Sequence, residues 1–117
     1  MPTEITSEYM MSMLAKSKPY TLVLLTRTAK YQPDAAKDSE QAKIIWAHSK
    51  RNFELRASGK MPLVGPVLQP PYAGMAVFDC PADEVAEIMK GDPAVQAGYF
   101  TVAIMPWRSF PGDALPG

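Results

Sequence analysis

The 117-residue chain is 47% hydrophobic and 21% charged, which suits a soluble globular protein and leaves no length for a second core. Lys and Arg total 12 and so do Asp and Glu; with no net positive field to hold a phosphate backbone, nucleic acid is not expected as a partner. The single cysteine, Cys80, cannot form an internal disulfide, and one histidine with one cysteine cannot supply the usual four ligands of a zinc site, so no metal is expected.

The opening stretch, MPTEITSEYMMSMLAKSK, is acidic at its start and has no unbroken apolar run, so it does not read as a signal peptide. The longest apolar stretch, near Tyr20 to Leu25, is far too short to span a bilayer, so no membrane is expected and a cytoplasmic location follows. Thr6 or Ser7 can cap a helix running through Lys16, with Tyr9, Met10, Met13 and Leu14 at helical spacing. Its apolar stripe must rest on something, a core or a subunit contact. Residues 19 to 28 are short, β-branched and aliphatic and predict a strand. Residues 28 to 37, with Pro33, Asp34 and small side chains, predict an exposed loop of the kind that often covers a site.

Asp38 or Ser39 then caps the longest helix, and Gly59 offers its left-handed stop. Met61 to Leu68, interrupted by Gly65 and Pro66, and Ala73 to Cys80 predict two strands joined by a Gln69 to Tyr72 turn. Pro81 sits in the first turn of the next helix, whose buried stripe is Ala82, Val85, Ile88 and Met89, and Gly91 ends it. Asp92 caps a short turn with Pro93 at its first position, Tyr99 to Met105 predicts the last strand, and the prolines from Pro106 onward predict irregular chain.

After the first helix the order is strand, helix, strand, strand, helix, strand. That is the split βαβ arrangement of a ferredoxin-like α+β domain with an antiparallel sheet. Its helices cover one face of the sheet, so the other face needs cover, and a homodimer is the expected solution. The organisation is an N-terminal helical extension over 1–18, the α+β domain over 19–108 and an irregular tail over 109–117.

His48, the only histidine, falls on the same helix side as Ile44, Asn52 and Leu55, whereas Lys43, Lys50 and Glu54 fall away from it. The quiet reading is a partly buried imidazole bonded to a backbone carbonyl. Lys50, Arg51, Glu54 and Arg56 read as a solvated, salt-bridge-laced face. Trp46, Trp107 and Tyr99 read as core or interface aromatics. Asp92 is explained by capping alone, and Gly65-Pro66 first of all by a strand-breaking bend. No dinucleotide, phosphate-loop, serine-elbow or C-x-x-C motif is present, so no cofactor is expected. One imidazole plus carboxylates is the equipment for moving a proton.

Two segments, HSKRNFELRASGKMPLVGP and VFDCPADEVAEIMKGDPAVQAGYFTVAIMPW, together resemble the YCII-related family of small dimeric α+β barrel proteins, across roughly residues 19 to 108. The resemblance implies a cleft in which His48 and Asp92 form an active-site pair, with Gly65 and Pro66 contributing to substrate binding. It also implies a cofactor-independent lyase or isomerase acting on a small molecule, with lactones or intermediates of aromatic catabolism as candidate substrates. A small acidic or lactone substrate would suit an imidazole near the helix N–H groups of residues 93 to 95. The alternatives are a dimeric module that binds a small ligand without catalysis, and an interaction subunit that docks on a partner through its Met-rich first helix and prolyl tail. If Asp92 points away from His48, Asp79 or Asp34 would have to supply the carboxylate.

Overall fold

A computed structural model describes residues 4–117; the first three residues of the expected N-terminal extension lie outside it. Eight elements follow in order: α1 (Ser7–Ala15), β1 (Lys18–Arg27), α2 (Glu40–Ala57), β2 (Leu63–Pro66), β3 (Tyr72–Phe78), α3 (Ala82–Lys90), α4 (Pro93–Gln96) and β4 (Phe100–Ser109). The four strands form one antiparallel sheet in the order β2-β3-β1-β4, the ferredoxin-like α+β fold.

Strand alternation decides which residues meet the helices. Thr21, Val23 and Leu25 of β1 are buried, and in register they lie beside Ala76 and Phe78 of β3 and Ile104 and Val102 of β4. Met61, Val85, Met89, Ala94, Tyr99 and Phe100 close over this face and complete the core. Burial of a side chain the size of Phe78 or Met61 is worth about 1.5–3 kcal/mol, so this face supplies the main cohesion of the chain.

The opposite face carries Tyr20, Leu22 and Leu24 of β1 beside Trp107, Met105 and Ala103 of β4, with Met75 of β3 next to Leu24. Met75 is 47% exposed, Trp107 40% and Met105 38%, so this apolar surface is open in the single chain.

Several boundaries differ from the expectation. β4 does not stop at Met105 but runs through Pro106 and Trp107 to Ser109, paired with β1 back to Lys18. An edge strand tolerates a residue without an N–H, and Pro106 sits on such an edge opposite Thr21. β2 is shorter than expected, because Met61 bonds back to Leu55 and is drawn into the core before pairing starts. Pro81 occupies the N-cap position of α3 rather than its first turn, and Ala82 is exposed rather than part of the buried stripe.

α1 is capped as expected, with Thr6 Oγ1 accepting from the Tyr9 N–H at 3.1 Å. It contributes no fully buried residue: Tyr9 and Met13 are partly buried, while Met10, Met11 and Leu14 are exposed within the single chain. Trp46, on the outer side of α2, is 77% exposed and takes no part in the core of the chain, unlike Tyr99.

Candidate active site

The site forms where α2 crosses the sheet and α4 packs against its flank. His48 and Gln41 are the buried residues of α2, and they face the sheet for different reasons. Gln41 clamps the preceding loop, its amide bonding the N–H and the carbonyl of Gln32 at 2.8 Å each. That clamp holds the loop in which Tyr31 packs against Phe100, with ring centroids 5.9 Å apart. His48 meets the same Phe100 edge-on at 5.4 Å.

His48 Nδ1 lies 2.6 Å from Oδ2 of Asp92, which is fully buried. Asp92 therefore does not choose between capping and pairing. Its Oδ1 accepts from the backbone N–H groups of Ala94 (2.8 Å) and Val95 (3.1 Å), while Oδ2 faces the imidazole. A buried carboxylate is stable only when its oxygens are satisfied, and here both are. Burial pushes the Asp92 carboxyl up, but the hydrogen bond from His48, its charge and the two backbone donors outweigh burial and hold the group below its ordinary value of 3.8.

An ionised Asp92 fixes the imidazole tautomer. Nδ1–H donates to the carboxylate, which leaves the lone pair on Nε2. Asn52, one helical turn along the same face, donates to Nε2 through its side-chain amide at 3.2 Å. Both His48 and Asn52 line a half-open cavity of about 420 Å³ between α2 and the sheet. That is the size of a small-ligand pocket, with mostly apolar walls and few polar groups.

Gly65 and Pro66 line the same cavity from β2, across from His48. Gly74 is also on its wall, and a Cβ there would make a tight contact of 3.2 Å with the Gly65 carbonyl. The cavity brings together His48, Gly65 and Pro66, with Asp92 directly behind the imidazole. Asp79, the reserve carboxylate, is instead engaged with Lys18 at 2.8 Å on the surface.

Other expectations are corrected here. The N–H groups at the start of α4 are not available to a substrate, since Asp92 itself occupies those of Ala94 and Val95. The row Lys50, Arg51, Glu54 and Arg56 is not laced by salt bridges among the described residues. Arg51 instead donates to the Ile88 carbonyl at 2.6 Å, and Arg56 lines the cavity. Asn52, Arg27 and Tyr31 are cavity residues that the sequence did not single out. The spacing of four between His48 and Asn52, two polar groups on an apolar helix face, was the one signal available.

Among the described residues no cluster of three or more His, Cys, Asp or Glu side chains could hold a metal ion. The Cys80 thiol is pushed up to about 11, first by burial and then by Glu84, so it is not a ready nucleophile at neutral pH. Among the described residues no helix is long and apolar enough to cross a membrane.

The sheet order and one-sided helices define an α+β protein of the ferredoxin-like class. The chain belongs to the YCII-related family, whose domain matches residues 21–108. Among solved structures it is similar to a 5-chloro-2-hydroxyhydroquinone dehydrochlorinase from Burkholderia phenoliruptrix AC1100 in complex with 2,5-dihydroxybenzoquinone. That likeness has 18% identity and a TM-score of 0.57, and it covers 75% of this chain and 92% of that one. It is similar as well to a muconolactone isomerase, with 18% identity and a TM-score of 0.58, covering 84% of this chain and 97% of that one. At such identities the likeness concerns the fold. No curated protein matches the chain.

Proposed function

We propose that this protein is a cofactor-independent enzyme of lyase or isomerase type that moves a proton on a small molecule, with His48 as general base and Asp92 as its orienting partner. The observation that carries this reading is the division of labour on one ring: Nδ1 is held at 2.6 Å by a buried carboxylate, while the residue itself borders a cavity of about 420 Å³. Nε2 takes a proton from a carbon next to a carbonyl, the C–H bonding pair moves toward the carbonyl oxygen, and Asp92 stabilises the imidazolium that forms. Return of the proton to another carbon gives isomerisation; loss of a leaving group gives elimination. Gly65 and Pro66 form part of the substrate wall.

The activities of the two similar structures, a dehydrochlorinase and a muconolactone isomerase, support the same general class. Lactones and intermediates of aromatic catabolism are therefore the first substrates to screen. The working form in this reading is a cytoplasmic homodimer that buries the open sheet face carrying Met75, Met105 and Trp107.

The test is turnover of a screened lactone or hydroxylated ring by wild type and His48→Gln, with folding checked by NMR. Loss of general-base function is expected to slow the reaction about 10²–10⁴-fold. An unchanged rate in a folded variant overturns the role of His48.

One observation favours a second reading, a ligand-binding module without catalysis: the Asn52 amide N–H already occupies Nε2 at 3.2 Å. In that case a bound ketone or lactone would exchange no carbon-bound proton with D2O above the solution rate. Under the enzymatic reading, substrate displaces the Asn52 contact and the exchange is accelerated.

A further inference from the structure

The cavity has an electrostatic bias that the acid-base pair does not explain. The chain carries equal numbers of acidic and basic residues, yet among the described residues no Asp or Glu lines the cavity, whereas Arg27 and Arg56 do. Arg27 is the unusual member. Its position at the end of β1, opposite Phe100, puts it on the helix-covered face of the sheet, and its guanidinium stacks over the Tyr31 ring at 4.5 Å. Its Nε is buried and has no hydrogen-bond partner among the described residues, nor does Arg27 make an ion pair there. A guanidinium without an acceptor for its buried N–H and without an ion pair is costly, and a ligand carboxylate on its cavity side would supply the missing counter-charge.

We propose that Arg27 is the anion-binding residue of this cavity and that the ligand is a small cyclic organic acid, its carboxylate on Arg27 and its reacting carbon at His48. This deepens the proposed function and rests on it for the identity of the reacting end; the anion site itself stands on binding alone. A guanidinium presents parallel N–H donors that match the two oxygens of a carboxylate, which is why Arg rather than Lys suits this position. Tyr31 and Phe100 link the two ends: Arg27 stacks on Tyr31, Tyr31 packs on Phe100, and Phe100 meets His48. These aromatic faces and edges favour a flat ring between the carboxylate and the imidazole. Arg56 lies eight residues after His48 on α2, about two turns farther along the helix axis, and adds positive charge to the cavity wall.

The experiment is an NMR titration of the full chain with benzoate and acetate, with benzamide as the neutral counterpart of benzoate and inorganic phosphate as a competing anion. The Arg27 Nε–H resonance is followed. Benzoate is expected to move that resonance, to bind at least tenfold more tightly than benzamide and more tightly than phosphate, and to weaken as salt rises. Arg27→Gln is expected to lose at least tenfold in benzoate affinity. His48→Gln is expected to keep it, which separates failure of the anion site from failure of the catalytic role. Should Arg27→Gln not fold, Arg27→Lys serves instead, with a severalfold loss from the missing planar fork. Equal binding of benzoate and benzamide, equal affinity in the Arg27 variant, tighter binding of phosphate, or no response to benzoate and acetate at tens of millimolar would each overturn the proposal.

Discussion

Asp92 works through its two oxygens separately, and substitutions can part them. Asp92→Asn keeps a capping acceptor for Ala94 and Val95 but removes the charge facing His48. Because the folded carboxyl is held below 3.8, the unfolded chain binds more protons as acid is added. The stabilisation is complete above the unfolded value and is lost as pH falls through the lower folded value. Urea denaturation between about pH 6 and about pH 3 should therefore show a shallower acid-side decline in Asp92→Asn than in wild type. Asp92→Ala also loses the cap, and its unfolding free energy should drop by about 1 kcal/mol more. The candidate pair was legible residue by residue: a lone histidine on an inward helix face and an Asp-Pro turn. Their meeting was implied only by the family resemblance and by no local pattern, because 44 positions separate them and the packing of α4 against α2 brings them together.

At the scale of elements, α2 ends where a left-handed residue is required. Gly59 has φ +85°, and no atom lies within 4 Å of where its Cβ would be, so Gly59→Ala isolates backbone strain from any clash. The cost should be about 1 kcal/mol, read by circular dichroism as a melting temperature lower by roughly 5 °C. The His48 to Asp92 contact lies well before this turn, and its NMR signature should not change. The stop at Gly59, the cap at Ser39 and the strand core of β1 were all visible in local patterns. The continuation of β4 to Ser109 was hidden by Pro106 and Trp107, since local signals there favour irregular chain and the pairing with Lys18 to Tyr20 is nonlocal. The charged row on α2 misled for a similar reason. Arg51 and Arg56 are long enough to leave their helix face, Arg51 for the Ile88 carbonyl and Arg56 for the cavity.

For the whole molecule, the open sheet face is the largest consequence of the fold. Met75→Glu would place a charge beside Leu24 on the same apolar face that carries Met105 and Trp107. Sedimentation should find wild type dimeric at micromolar concentration and Met75→Glu mainly monomeric, with the chain still folded because the covered core lies on the other side. A wild-type monomer under those conditions would remove the homodimer from the proposed function.

The element order, the caps of α1, α2 and α4, the stop at Gly59 and the inward side of α2 were set by the sequence alone, since each depends on a residue and its near neighbours in helical or strand period. The tertiary structure decided that Asp92 uses one oxygen for His48 and the other for its own turn, that Asn52 occupies Nε2, and that the Arg27 Nε is buried without an acceptor beside Tyr31. Those facts depend on distant segments converging on one face of the sheet, and no local pattern carries that convergence.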